Sequence, residues 1–207
     1  MGYDGTEMAF YGETKSLGST GEEMNNTKSN ILMAAIEVVS KKGYHPATMD
    51  EIAKEANVAK GTLYYYFESK ESIFNDMIES GISMIREEIL EKIKVTEDSM
   101  QQLKIITHAI LNLIFERRNL FKIIISQLWG EDIRQIELRK KMNDVMDFIE
   151  AYIINCVDDG YFKAANTRLK AFNYFGAIMT TAVYYLNLEK PIDSVSEAMI
   201  EEILAQL

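Results

Sequence analysis

Proline, cysteine and histidine are scarce in this chain: its 207 residues include two prolines, one cysteine and two histidines. With only Pro46 and Pro191 present, long stretches lack the ring that breaks a helix interior. A single cysteine, Cys156, excludes a disulfide within the chain, and its apolar helical setting reads as that of a small buried hydrophobe. His45 and His108 are far apart in sequence, and no Glu-x-x-His pair occurs, so the signature of a carboxylate-rich metal site in a helical bundle is missing. No nucleophile and base stand out as a constellation either, so an enzyme is not expected, nor a cofactor or a metal. No apolar run approaches the roughly 20 residues of a membrane span, and the first 24 residues lack the apolar stretch of a signal peptide. Convincing strand alternation and internal repeats are missing as well. What remains is helical periodicity, which predicts an all-α chain.

The formal net charge is −10, and its distribution matters more than its sum. Residues 1–25 carry one lysine against five acids, residues 26–72 six lysines against six acids, and residues 73–207 fifteen bases against 21 acids. The acidity therefore lies at the two ends, and the segment between them is neutral. Residues 1–24, rich in Gly, Ser, Thr and Glu without periodicity, read as a mobile acidic arm, or as sequence upstream of a true start near Met24.

The most informative stretch runs from Thr48 to Phe67. Thr48 is an N-cap, and Glu51 completes a capping box. Ile52, Ala53 and Ala56 give a short helix one apolar face, and Asn57 ends it by accepting a left-handed conformation. Val58 turns back toward the core. A second short helix follows over Lys60–Tyr66, with Leu63 and Phe67 inward and Lys60, Gly61, Thr62, Tyr64, Tyr65 and Tyr66 available to a partner. Two helices joined by a tight turn, the second rich in hydrogen-bond donors, form a unit that enters a DNA major groove. An earlier helix over Thr27–Lys42, with Ile31, Ala34, Ala35, Val38 and Val39 inward, stops at Gly43. Ser69 caps a later helix over Lys70–Lys94, its inward set being Ile73, Phe74, Met77, Ile78, Ile82, Ile85, Ile89 and Ile93.

Ala34-Ala35, Val38-Val39, Lys42-Gly43-Tyr44, Thr48 to Phe67 and Lys70-Glu71-Ser72-Ile73-Phe74 together resemble the DNA-binding domain of the TetR-type (tetracycline-repressor-like) transcriptional regulators. The run Lys60-Gly61-Thr62-Leu63-Tyr64-Tyr65-Tyr66-Phe67, with Lys70 following, is the most specific part. The resemblance covers roughly the first third of the folded chain. It implies an N-terminal three-helix DNA-binding domain over residues 25–85, with the helix-turn-helix at 48–67, followed by a larger helical ligand-binding and dimerisation domain over 86–207, about nine helices in all. By resemblance, Lys60, Gly61 and Thr62 lie nearest the bases or backbone. Tyr64, Tyr65 and Tyr66 match positions that meet phosphates and thymine methyls, and Lys70 and Thr48 pin phosphates. Asp50 repels phosphate, so base reading from its helix is not expected. A neutral DNA-binding segment also implies a modest salt dependence, because few counterions are released.

Beyond the motif, helical period continues over Ser99–Phe115, Leu120–Trp129, Ile133–Asp158, Arg168–Leu188 and Val195–Leu207, with breakers at Gly130, Gly160 and Pro191 and a capping-box pattern at Ser194 and Glu197. The Arg168–Leu188 helix is apolar nearly all round and must be covered on more than one face. With the last helix it resembles the family's four-helix dimer interface, which points to Ala171, Phe175, Gly176, Ile178, Ala182, Met199 and Ile203 as interface residues. A two-fold dimer presents two recognition helices ~34 Å apart, so the operator is expected to be a pseudo-palindrome.

The family's larger domain encloses a small, mostly apolar ligand. Candidate lining residues are Trp129, Phe148, Tyr152, Tyr174 and Tyr184, and a lipophilic cation, a fatty acyl group and an aromatic metabolite all remain open as effectors. The resulting expectation is a dimeric, cytoplasmic repressor, nucleoid-associated when bound and released from its operator by that ligand. The alternative is a DNA-binding protein of the same fold controlled by a protein partner or by no ligand.

Overall fold

The computed structural model describes residues 19–127, 133–163, 166–188 and 195–207. Among them are nine α-helices and no strand: α1 Ser19–Lys42, α2 Met49–Glu55, α3 Lys60–Tyr66, α4 Lys70–Lys92, α5 Ser99–Glu116, α6 Arg118–Gln127, α7 Ile133–Asp158, α8 Thr167–Leu186 and α9 Glu197–Leu204. A single 3₁₀ turn, Ile93–Val95, ends α4. No described helix is long and apolar enough to cross a membrane.

The chain divides into two compact units, residues up to 81 with 117–138, and 82–116 with 139–207. The division falls inside the continuous helix α4, not at the expected boundary of 85 and 86, and it assigns α6 to the first unit. The reason lies in α1. That helix buries Leu32 and Ile36 as well as the expected Ile31, Ala34, Ala35, Val38 and Val39, so one apolar stripe is not enough to describe it. It packs against α2 on the one hand and α6 on the other, and Leu120, Phe121 and Ile123 of α6 are buried in return.

Helix α1 also begins earlier than expected, at Ser19 and not at Thr27. Apolar periodicity sets in only near Ile31, but a helix can extend outward without it. Its other end is as read: Gly43 adopts φ +86°, and its N–H donates to the Val39 carbonyl at 2.8 Å.

The second unit is built around α5 and α8, with α9 against both. At its centre the Thr107 and Tyr174 hydroxyls share a hydrogen bond of 2.7 Å, and both side chains are fully buried. Burial pushes the Tyr174 phenol far up, so it stays neutral and serves as a satisfied polar pair within an apolar core. Lys104 of α5 pairs with Glu197 and Glu201 of α9, and Arg168 at the start of α8 pairs with Asp147 and Glu150 of α7. Cys156 is buried, as expected, and burial raises its thiol pKa. The last helix is capped two residues beyond the expected Ser194. Ser196 is its N-cap and accepts from the Met199 N–H at 3.3 Å, while Glu197 is the first helical residue and faces Lys104. Ser194, Trp129, Gly130 and Pro191 lie outside the described residues.

Candidate nucleic-acid interface

The helix-turn-helix is assembled from local chemistry. Thr48 sits in extended backbone, its hydroxyl accepting from the Glu51 N–H at 3.3 Å while its own N–H donates to the Glu51 carboxylate at 3.2 Å. Because that hydroxyl acts as an acceptor in the cap, its proton is still available to donate outward. Lys42 holds the same carboxylate at 2.5 Å, and this contact, ahead of the Thr48 N–H, lowers the Glu51 pKa. Asn57 takes φ +54° at the turn, and the Val58 N–H closes back on the Ala53 carbonyl at 3.0 Å. Ile52 and Ala53 of α2 and Leu63 and Phe67 around α3 are buried, which fixes the faces of both helices.

Helix α3 thereby turns a defined face outward. Tyr65 is 72 % exposed and Tyr64 45 % exposed. Tyr66 is half-buried and meets Tyr65 edge to face, ring centroids 5.1 Å apart. Gly61 is exposed, and a Cβ built there meets nothing within 4 Å. Nothing inside the chain therefore demands glycine at this position. Ala59 supplies no side-chain cap to the start of α3.

Three contacts around this face were not foreseen from sequence. Asp50 of α2 holds Lys60 of α3 at 2.6 Å, both exposed, and this carboxylate raises the lysine pKa. Lys60 also lies 5.9 Å from the Tyr64 ring centroid. The third contact concerns Lys70, whose ammonium does not point to solvent. It donates to the carbonyls of Tyr44, His45 and Ala47 at 2.5, 3.1 and 2.7 Å, and sits 4.5 Å from the Tyr44 ring centroid. Sequence spacing carries a weak signal for the first contact, an acid and a base ten residues apart on adjacent helices, and none for the third.

The expected dimer-interface residues divide by burial. Ala171, Ile178 and Ala182 of α8 and Met199 and Ile203 of α9 are buried within their own unit, as part of its core. A helix that is apolar all round hides which face is inward. The face α8 turns to solvent is instead Leu169, Phe172, Val183 and Tyr184, with half-buried Phe175 and Gly176 beside it. Phe172, Gly176, Ala177 and Thr180 line an open groove of about 680 Å³ whose other wall comes from Ile203, Glu202, Ala205 and Gln206.

The candidate ligand-lining residues divide too. Tyr184 is 63 % exposed, so it belongs to this outer face and not to an enclosed cavity, and Tyr174 is committed to Thr107. Phe148 and Tyr152 lie one helical turn apart on α7, half-buried, with ring centroids 5.1 Å apart. Arg86 of α4 stands 5.6 Å over the Phe148 ring. No group of three or more His, Cys, Asp or Glu among the described residues is placed to hold a metal ion.

Comparison with known proteins matches this architecture. Residues 31–77 match the model of the bacterial regulatory proteins of the tetR family. The fatty acid metabolism regulator protein of Bacillus subtilis (strain 168) is 29% identical over 173 residues, covering 80% of this chain and 87% of that one. A solved structure of a Clostridium perfringens protein described as a fatty acid metabolism regulator superposes with a TM-score of 0.77 at 37% identity, over 86% of this chain and 98% of that one. The transcriptional regulator FadR of Bacillus subtilis, solved in complex with stearoyl-CoA, gives a TM-score of 0.71 at 26% identity over 86% and 98%. All three are regulators by name. Helix-turn-helix, all-helical second unit and relatedness along nearly the whole of the Clostridium protein agree, and the chain belongs to the TetR family of bacterial transcriptional regulators.

Proposed function

We propose that this protein is a dimeric, cytoplasmic repressor that reads a pseudo-palindromic operator through α3, and that a long-chain acyl thioester releases it. The observation that carries the DNA half is the outward face of α3. Gly61 is open where no internal packing requires glycine, and Tyr64 and Tyr65 project phenols with Thr62 beside them. Such hydroxyls reach phosphate oxygens, and their rings reach thymine methyls. The dimer is supported by the apolar face that α8 leaves uncovered in one chain, including Phe172 and Tyr184.

The acyl half is supported by the relatives, two of them regulators of fatty acid metabolism and one solved with stearoyl-CoA. It is also supported by chemistry in the second unit. Phe148 and Tyr152 form an aromatic wall with the Arg86 cation against it. Apolar surface beside a cation suits a hydrophobic chain attached to an anionic carrier. The test is selection of bound sequences from random DNA, followed by titration of the enriched duplex complex with stearoyl-CoA and with free CoA. Enrichment of a pseudo-palindrome and release by stearoyl-CoA alone are expected, with a rise in thermal stability that grows with ligand concentration by mass action. Release by neither compound, from a complex that does form, favours control by a protein partner or by no ligand.

Operator binding should depend only modestly on salt. Of the six lysines in residues 26–72, five are engaged inside the chain: Lys28 with Asp76, Lys41 with Glu37, Lys42 with Glu51, Lys60 with Asp50 and Lys70 with three carbonyls. Replacing Asp50 by asparagine removes the acid nearest the recognition helix and releases Lys60. An exposed pair of this kind is worth ~0–1 kcal/mol, so the fold tolerates its loss. Asp50→Asn should tighten DNA binding at low salt and steepen the plot of log K against log salt by roughly 0.9 for each phosphate newly neutralised, about two units for a dimer. An unchanged slope would show that Lys60 already faces phosphate with Asp50 in place.

A further inference from the structure

We infer that Lys70 is a positioning residue for the recognition unit and not a phosphate contact: its ammonium clamps the 44–47 loop and thereby sets where α2 begins. The inference rests on the reading of α3 as the DNA-contacting helix.

An ammonium has three N–H donors, and each has a carbonyl here: Tyr44, His45 and Ala47. Such charge-assisted bonds are stronger than neutral ones. The carbonyls are not idle surface groups, since Tyr44 and Ala47 are themselves buried. The Ala47 carbonyl belongs to the same peptide unit as the Thr48 N–H. Lys70 holds that unit by its oxygen, and Glu51 holds it by its nitrogen at 3.2 Å. The first peptide of α2 is therefore fixed from both sides, one anchor local and the other from α4.

The α4 anchor is itself rigid. Ser69 and Ser72 cap the start of α4 reciprocally, the Ser72 N–H donating to the Ser69 hydroxyl at 3.1 Å and the Ser69 N–H to the Ser72 hydroxyl at 3.2 Å. One turn on from Lys70, Phe74 meets the Tyr44 ring edge to face at 5.5 Å. The first turn of α4 thus grips the loop twice, by a cation over the Tyr44 ring and by an aromatic at its edge. Because α2 packs on α3 and the Asn57 turn joins them tightly, a displacement of α2 at Thr48 is carried to α3. For Lys70 to reach a phosphate it would have to give up all three of these charge-assisted bonds.

Two variants separate positioning from phosphate contact. Lys70→Met keeps the length of the side chain and removes charge and donors. It should speed amide hydrogen exchange across residues 43–56 and weaken binding to a duplex selected by the parent protein by about tenfold or more, as expected on losing a charge-assisted hydrogen bond. The salt slope should stay that of the parent. A slope lower by about 0.9 per subunit with exchange unchanged is the signature of a lost phosphate contact and overturns the inference. Unchanged exchange with unchanged binding overturns it as well.

Should Lys70→Met fail to fold, Lys70→Arg decides, because guanidinium binds phosphate at least as well as ammonium but its planar fork does not fit three convergent carbonyls. Faster exchange over 43–56 with weaker DNA binding supports the clamp; equal or tighter binding with unchanged exchange refutes it. If the parent protein selects no DNA at all, the functional reading has failed, and the exchange arm still judges the clamp by itself.

Discussion

Tyr65→Ala should abolish operator binding at concentrations where the parent protein is saturated, while leaving the fold and the oligomeric state as they were. The side chain is 72 % exposed, and truncations of exposed residues away from caps and cores change stability by only about ±0.5 kcal/mol. Its one described aromatic neighbour is Tyr66, at 5.1 Å between ring centroids. The effect on DNA is of a different size. An aromatic anchor at the centre of an interface contributes ~2 kcal/mol or more when truncated. A two-fold dimer loses that contact twice, so ~4 kcal/mol and about a thousandfold in affinity are at stake. Fluorescence anisotropy of a selected duplex gives the affinity, and circular dichroism with sedimentation gives the control. Affinity within about threefold of the parent, from a folded protein, would place the recognition surface elsewhere than on this face of α3.

The helix-turn-helix was legible because its determinants are local. A capping box, a left-handed Asn and two buried positions at helical spacing all act within a few residues of one another, and Thr48, Asn57, Leu63 and Phe67 behave as their types dictate. What escaped was set across the fold. The carbonyls that meet Lys70 come from residues 23 to 26 positions earlier, and no periodicity connects an ammonium to a loop carbonyl. The same limit explains α6. Its own sequence is amphipathic, but only the extra apolar residues Leu32 and Ile36 on α1 hint that a further helix must cover that side.

Helix α8 shows the complementary failure. Hydrophobicity all round announces that two faces are covered and gives no means of telling them apart. Residue size does not separate them, since Ala171 and Ala182 lie in the core while Gly176 and Ala177 line the outer groove. The polar members are the better guide. Asn173, Thr180 and Thr181 line the outer groove beside Gly176, and Thr180 turns its hydroxyl back to the Gly176 and Ala177 carbonyls at 2.9 and 3.1 Å. A helix can carry such residues on its apolar outer face because backbone carbonyls satisfy them.

Gly176→Leu turns this assignment into a second large effect. A Cβ at position 176 meets nothing within 4 Å inside the chain, so the substitution meets no steric obstacle at its first atom. Within α8 it also replaces the poorest non-proline helix former by a good one, a gain of ~0.8–1 kcal/mol for the isolated subunit. If α8 packs against its counterpart in a second copy, the outcome for the dimer is opposite. Overfilling a packed contact costs ~1–3 kcal/mol, and an isologous interface incurs that cost for both copies, so dimerisation should weaken by at least about thirtyfold. The thermal midpoint of the monomeric species should hold or rise while sedimentation equilibrium shows the dimer lost. Operator affinity should fall with it, because a half-site bound by one recognition helix forgoes the second helix entirely. An intact dimer in Gly176→Leu would move the interface away from the Phe172–Thr180 face of α8. A subunit that unfolds would show instead that the space outside Gly176 is filled by its own chain.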